Sequence, residues 1–457
     1  MADIRRFGPT DFALLLLVLA VAAGARAGYL WTCADAARTP GPLRVQDDRF
    51  TPPGAGKPGE TDLTALIRGV RESGRFVSAA PFSAGEEPTA HVAPGYPWLV
   101  GLLGRAVPAD DLDRSVRWAQ AGLGALTAGL YYLFARRAFR HLAVGVLAGL
   151  FAALHPFWVI NTAAIDDGVL AAFALAGCLF LGSQAGEKGG ALFSLLFGLA
   201  LAGLSLVRAA MLPFAFVALV WFLLRSRSLP RGWLCGLLAF LGFANGLAPW
   251  TVRNLQLYDE PLPVVSSTYL NLWVGNNPHA TGGPATEAMW KSAPADLEAQ
   301  THQPRRYALL ARVVADEVRD RPARTLQVRM RAALVFLFGE RWLLQGELAA
   351  RADDQTMPAW LEGSYPVVLQ AVLLAMLALA LLGWRWGYGW RWESAVAALA
   401  ALWVPLPYIL GHGDALSGPR LPLDGVFLCY AAVALVGLVP GFNGALLDAP
   451  AAGPPNG

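Results

Sequence analysis

The sequence predicts an all-α polytopic membrane bundle, and three observations carry that expectation. Of 457 residues, 55% are hydrophobic and only 15% charged, whereas an average soluble domain carries about a quarter charged residues. Ten separate windows have roughly the length and apolarity needed to cross a hydrocarbon core. The clusters of Lys and Arg in the short connections between those windows fall on one side when ten spans are counted, as the positive-inside rule demands. A soluble cytosolic enzyme is therefore excluded. So is a nucleic-acid partner: 36 Lys+Arg minus 33 Asp+Glu leaves only +3, with no long basic run to follow a phosphate backbone.

The windows are 12–31, 117–134, 142–160, 167–182, 191–206, 209–224, 233–250, 365–384, 393–411 and 421–440. Those starting at 167, 191 and 209 are near the lower length limit. Arg5 and Arg6 precede the first window, but "AGARAGYLW" after it is a poor cleavage pattern, so this window is expected to stay as a helix. The basic clusters are Arg5 and Arg6; Arg136, Arg137 and Arg140; Lys188; Arg225, Arg227 and Arg231; and Arg385 and Arg391. Their side is read as cytoplasmic, with both termini, in a cell inner or plasma membrane. The outer side then receives 32–116, 161–166, 207–208, 251–364 and 412–420. Residues 1–440 are expected to form one transmembrane domain and 441–457 a disordered cytoplasmic tail. The apolar piece 332–339 is placed on the outer side, with a re-entrant element as the alternative.

Both long outer segments contain helical patterns. In "ETDLTALIRGVRESGRF", Leu63, Leu66, Ile67 and Val70 form one apolar stripe suited to a membrane surface. Thr61 is placed to cap the start and Gly74 the end, which puts Glu60 and Asp62 at a helix N-terminus. Acidic residues also favour that position through the macrodipole alone. In the second segment "RRYALLARVVADEVRDR" presents Tyr307, Leu310 and Val314 on one face and stops at Pro322. Before it, "SSTYLNLWVGNNPHATGG" is rich in turn residues and reads as a loop that builds a binding surface. Cys178, Cys235 and Cys429 sit in apolar stretches and Cys33 in a polar one, so neither a disulfide framework nor a CxxC pair can be assembled. The six histidines are scattered. No metal box is visible, although the Asp166–Asp167 pair leaves a divalent cation open.

A resemblance joins these pieces. The run Ala248 to Gly283, "APWTVRNLQLYDEPLPVVSSTYLNLWVGNNPHATGG", resembles a segment of the bacterial relatives of protein O-mannosyltransferases and aminoarabinose transferases, the glycosyltransferase family 39-like GT-C enzymes. In the same order, "HVAPGYPWLVGLLGRAV" is similar to the family's juxtamembrane element. The stretch "HPFWVINTAAIDDGVLAAFALAG" resembles its acidic outer turn, "GLSLVRAAMLPF" its Leu-x-Arg turn, and "SGPRLPLDGVFLCYAAVAL" its last helix. The likeness runs from about Arg26 to Val439.

The resemblance implies a GT-C-like bundle and a hexosyl- or pentosyl-type transferase. Such an enzyme moves a sugar from a polyprenyl-phosphate donor to a protein, lipid or glycan hydroxyl on the extracytoplasmic side. The reaction needs a carboxylate base, cations for the departing phosphate and a cavity open to lipid and water. For the base, the family's first-loop acidic pair aligns with Gly59 and Glu60, so its first acid is missing here. Glu60 is the leading candidate, Asp62 next, and Asp47 and Asp48 are more distant. Asp166 and Asp167, where the family carries Thr-Glu, are candidates for positioning the acceptor, the sugar or a helper cation; a helix cap is the bland reading. Arg208, Arg253, Arg420 and Arg26 are candidate phosphate holders, each equally readable as an arginine snorkelling to headgroups. His91 is a further phosphate donor candidate or a structural hydrogen bonder, and Asn276 and Asn277 hold sugar hydroxyls or only shape their loop.

Two rivals stand beside the enzyme. One is a transporter or flippase of a polyprenyl-linked sugar, disfavoured by the lack of a repeat and by polar residues gathered at the boundary rather than the midplane. The other is an inactive relative, suggested by the missing acid.

Overall fold

The computed structural model describes residues 8–34, 62–188, 190–229, 231–283, 285–338, 365–386, 392–411 and 418–439. Asp47, Asp48, Glu60, Thr61 and the 441–457 tail lie outside the described residues.

All ten predicted windows are helical, as a chain must be where lipid offers no partner to backbone polar groups. The first is α1 (Pro9–Cys33), started by a proline in its first turn and by Asp11, which accepts a 3.2 Å hydrogen bond from the Gly8 amide. The polar residues before the second window extend it into α4 (Leu112–Ala138), with Asp113 in its first turn and Arg136 and Arg137 in its last. Those charges match the helix macrodipole. The third window is split. After α5 (Leu142–Leu154), Pro156 supplies no N–H and restricts His155 before it, so the chain bends and restarts as α6 (Pro156–Asn161).

Then follow α7 (Gly168–Lys188), α8 (Ala191–Val207), α9 (Leu212–Ser226) and α10 (Gly232–Tyr258). α10 carries Pro249 inside it and runs on to Tyr258, so Arg253 stands on a helix rather than in the loop predicted to begin at 251. The last windows are the helices Tyr365–Trp386, Trp392–Trp403 with a short continuation Leu406–Leu410 beyond Pro405, and Leu421–Leu438.

Among the described residues, six helices are long and apolar enough to span a bilayer, and three further apolar helices are shorter. The chain is an all-α, multi-pass membrane bundle. Its centre is built by α1, α4, α5, α7 and the Leu421–Leu438 helix. Leu17, Phe216, Trp233 and Leu381 point outward and are exposed, as lipid-facing side chains are. α8 and α10 cross at the distance small residues permit: a Cβ on Gly198 would stand 2.0 Å from the Ala239 carbonyl oxygen, and one on Gly242 2.4 Å from that of Leu195.

The polar segments gather at one end. The first holds α2 (Asp62–Ser73), a two-residue antiparallel ladder of Val77–Ser78 with Glu87–Pro88, and α3 (Gly95–Ala106). The predicted stripe of α2 is buried at Leu63, Leu66, Ile67 and Val70. The second holds α11 (Thr268–Gly275), α12 (Glu287–Lys291), α13 (Gln303–Asp320) and α14 (Pro322–Phe338). The apolar piece near 332 is the end of α14, not a separate element. Arg306 ties the two segments together, donating from Nη1 at 2.9 Å and Nη2 at 3.2 Å to the carboxylate of Glu87. α3 lies on the end of α8, where a Cβ on Gly95 would come within 2.9 Å of the Leu206 carbonyl.

Candidate active site

The turn between α6 and α7 places two carboxylates side by side. Asp166 caps α7, its Oδ1 accepting from the Gly168 amide at 2.8 Å and from Asn161 Nδ2 at 3.3 Å. Asp167 faces the other way and takes both Nε (3.0 Å) and Nη2 of Arg208. Arg208 is buried where α8 stops, with extended backbone, and its Nη1 reaches the Gly418 carbonyl at 3.3 Å. Gly418 leads into Arg420, at the start of the Leu421–Leu438 helix. The sequence's acidic pair, Arg208 and the Arg420 turn are thus brought together.

Arg420 is fully buried and lies 4.8 Å above the Phe157 ring. Its Nη1 donates to Asp424 Oδ1, and the other oxygen of Asp424 meets His155 Nε2 at 2.9 Å. Its Nε and Nη2 have no partner. Trp158 pins the same turn by donating to the Leu421 carbonyl at 2.8 Å.

Arg26 reaches this region from α1, also fully buried. Pro156 cannot donate to the Ala152 carbonyl as a helical residue would. Arg26 Nη2 takes that carbonyl at 3.3 Å, and Nη1 donates to Ala153 at 2.9 Å. Its Nε is left without a partner. Between the helices lies a narrow cleft of about 10 Å³, lined by Arg26, Thr127, Trp158, Asn161, Val169 and Leu421.

A second network lies under the polar segments. Asp62, at the start of α2, accepts from His91 Nε2 at 3.1 Å. With Asp62 ionised, His91 carries its proton on Nε2, and Nδ1 accepts from the Thr89 hydroxyl at 2.6 Å. Arg253 donates from Nη1 to the Thr89 carbonyl at 2.8 Å and from Nη2 to that of Phe76 at 3.3 Å, and it lies 4.5 Å over the Trp250 ring. Asp62, His91 and Arg253 therefore belong together. They are connected to the acidic turn by packing: Leu63, Tyr96, Ile165 and Val207 share one apolar cluster, so the neighbours of Asp62, Asp166 and Arg208 surround a common core. Burial holds the Tyr307 hydroxyl well above the usual phenol range, and negative charge at Glu87 and Asp62 adds to the rise while Arg306 opposes it.

Asn276 and Asn277 are elsewhere. Asn276 Nδ2 donates to the carbonyls of Leu272 (2.7 Å) and Leu410 (2.9 Å), and Asn277 Nδ2 to that of Trp273 at 2.9 Å, so both amides close the end of α11.

Several residues of the site were not singled out from the sequence. His155 and Asp424 lie inside apolar windows, which is itself a signal, because ionisable groups within a span are costly and are kept for a reason. Asp113 and Arg117 form a buried pair on α4, with Nε to Oδ2 at 2.8 Å, and Arg117 Nη1 has no partner. Tyr96 donates to Gln120 Oε1 at 2.9 Å, and Gln120 Nε2 holds the carbonyls of Thr162 (2.9 Å) and Ala164 (2.7 Å), which fixes the turn that carries the acidic pair. Burial pushes the Tyr96 hydroxyl far up, and the charges of Asp166 and Asp167 push it further. Among the described residues, no group of three or more His, Cys, Asp or Glu is arranged to hold a metal ion.

Comparison with known proteins adds to this geometry. Residues 91–250 match the family model described as dolichyl-phosphate-mannose-protein mannosyltransferase. No curated protein sequence matches the chain. Among solved structures, the chain is similar to the apo oligosaccharyltransferase of Archaeoglobus fulgidus, with a TM-score of 0.53 and 14% identity over 93% of this chain and 50% of that one. It thus spans half the length of that enzyme and shares its fold. ArnT from Cupriavidus metallidurans bound to undecaprenyl phosphate aligns with 15% identity over 94% of this chain and 78% of that one, at a TM-score of 0.41. The GT-C-like bundle expected from the sequence is the fold observed.

Proposed function

We propose that this protein is an integral-membrane glycosyltransferase that moves a sugar from a polyprenyl-phosphate donor to an acceptor hydroxyl on the extracytoplasmic side. Arg420 carries the reading. A fully buried guanidinium with two unpartnered nitrogens, beside a cleft between helices where Arg26 presents a third, suits a phosphate that arrives through the bilayer on its own lipid tail. Buried N–H groups without partners cost about 1–3 kcal/mol each, and a phosphate would satisfy them. The matches to a mannosyltransferase family model and to the fold of an oligosaccharyltransferase support the same class.

In this reading the acceptor oxygen attacks the anomeric carbon while the bond from that carbon to the phosphate oxygen breaks. The electron pair leaves with the phosphate, and the acceptor proton passes to a carboxylate. Asp62 is the base in our assignment, held by His91 Nε2; Glu60, two residues before it, is the alternative. Arg208 and Arg420 stabilise the departing phosphate, with Arg208 also fixing Asp167. Asp166 and Asp167 set the sugar and acceptor. Arg253 and His91 hold the loop that presents Asp62. Single displacement inverts the anomeric centre. The basic turns read from the sequence support a site on the face away from the cytoplasm.

The test is direct. Purified full-length protein in nanodiscs is given a polyprenyl phosphate carrying a labelled hexose or pentose, together with membrane, glycan and protein acceptors. Label should leave the lipid and free polyprenyl phosphate should accumulate. Movement of the intact lipid between leaflets without cleavage would instead identify a flippase.

A further inference from the structure

We propose that α14 is seated in the bilayer, with one apolar stripe against the phospholipid acyl chains of the leaflet that meets the polar segments. The inference rests on the fold alone and needs no part of the proposed reaction. Leu326, Met330 and Leu334 are 63%, 63% and 59% exposed, and Phe338 follows them, also exposed. Spaced at i, i+4, i+8 and i+12, they form one line about 18 Å long on a single side of the helix. Isolated apolar residues on a surface are ordinary. A continuous line of them marks a contact surface.

The other side of α14 is fully used. Arg324 donates to the carbonyls of Pro278 at 2.7 Å and Ala280 at 3.1 Å and to the Glu317 carboxylate at 2.8 Å. One turn further on, Arg329 holds the carbonyls of Gly275, Ile409 and Gly411. A Cβ on Gly282 would come within 2.6 Å of the Val328 carbonyl oxygen, so the loop before α12 lies directly on the helix. These contacts fix the rotation of α14 about its own axis. The stripe is left turned away from the protein.

Continuity with the lipid-facing surface of the bundle says what covers it. Phe336 is buried and belongs to the main core of the bundle, its ring centroid 5.5 Å from that of Tyr408. The end of α14 therefore reaches the membrane-embedded body. The short helix Leu406–Leu410 that it meets there exposes Leu410, and the span just before that helix exposes Leu402. α13, next to α14 in the same polar segment, supplies the contrast: its outward residues include Arg312, Asp316, Arg319 and Asp320, the surface of a helix in water. α14 presents hydrocarbon instead, with Arg331 exposed beside Met330. An arginine there can lay its stem along acyl chains while its head reaches the phosphates, and an apolar stripe edged by a basic residue fits a helix lying in the membrane interface.

The test reads the surroundings of the stripe directly. Leu326→Cys, Met330→Cys and Leu334→Cys are made singly in full-length protein carrying Cys33→Ser, the cysteines at 178, 235 and 429 being buried. Each is labelled with a nitroxide in phosphatidylcholine nanodiscs, and Asp316→Cys on α13 serves as the reference. Collisions with oxygen, which concentrates among acyl chains, and with a nickel chelate, which stays in water, report the depth of each label. The three stripe positions should favour oxygen and lie about 5–10 Å into the boundary between headgroups and acyl chains, whereas Asp316→Cys should favour nickel. Preference for nickel along the stripe would overturn the proposal, because α14 would then face water. Shielding from both reagents would overturn it too, by assigning the stripe to a protein contact, and spin–spin broadening between labels would identify that contact as a second copy of this chain. Should one labelled variant fail to fold, the other two decide.

Discussion

Two polar networks share the same end of this bundle and are built on opposite principles. Around Asp62 the groups are saturated. Gln303 Oε1 alone accepts from the Ala90 amide (2.9 Å), the Ser266 hydroxyl (2.9 Å) and the Tyr258 hydroxyl (3.2 Å), while its Nε2 donates to Glu87 (3.1 Å) and Thr89 (2.8 Å). Around Arg420, donors outnumber acceptors: Arg26 Nε and two nitrogens of Arg420 are buried without partners. Saturated networks fix geometry. An unsaturated one is costly at rest and gains when an acceptor arrives. The first region is thus suited to holding a base in place, and the second to receiving an anion.

The largest effect should come from Asp62→Asn. If Asp62 is the base, sugar transfer falls by about 10²–10⁴-fold, while binding of polyprenyl phosphate, read by tritiated-lipid retention, stays within about twofold. Retained turnover in this variant would move the base to Glu60.

Arg420 gives the next effect, with the opposite signature. Replacing Arg420 alone strands Asp424 in a buried site, so the cleaner variant is Arg420→Gln with Asp424→Asn, which removes both charges. Polyprenyl phosphate should then bind roughly 10–100-fold more weakly, with the protein still eluting as a folded species. Unchanged affinity would mean that the unpartnered nitrogens serve no ligand.

These regions differ also in how far they could be read from sequence. The amphipathic stripe of α2, the acidic pair and Arg208 were legible because local spacing and turn position declare them. Arg253 was visible as a charge at the end of an apolar window, but its use was not: Pro249 was accommodated within α10, and the carbonyls Arg253 meets belong to Phe76 and Thr89, far away in the chain. Asn276 and Asn277 likewise turned inward to their own helix and to Leu410. The His155–Asp424 contact joins residues 269 apart, and periodicity carries no information on such pairs.

A third variant probes the cleft through its walls. A Cβ on Gly124 would lie 2.3 Å from Arg26 Nε and 2.9 Å from its Cδ, so Gly124→Ala must push Arg26 aside. Overpacking of this kind costs about 1–3 kcal/mol, and the Ala152 and Ala153 carbonyls would lose their donor. The thermal midpoint in detergent should fall, and polyprenyl phosphate binding should weaken with it. A stable Gly124→Ala protein with unchanged binding would show that Arg26 is free to leave the α5–α6 break.

The smallest effect is expected at Arg253, and it tests the saturated side. Arg253→Lys keeps the charge but replaces a planar fork with a single ammonium. A lysine cannot span the Phe76 and Thr89 carbonyls while lying flat on Trp250, so about one hydrogen bond and part of the ring contact are lost, roughly 1–2 kcal/mol. The midpoint should drop by a few degrees and polyprenyl phosphate affinity should barely move, because this guanidinium is already occupied by backbone. If Arg253→Lys instead weakens phosphate binding as much as the Arg420 variant does, the contrast between a saturated scaffold and an open anion site fails, since both arginines would then face the same ligand.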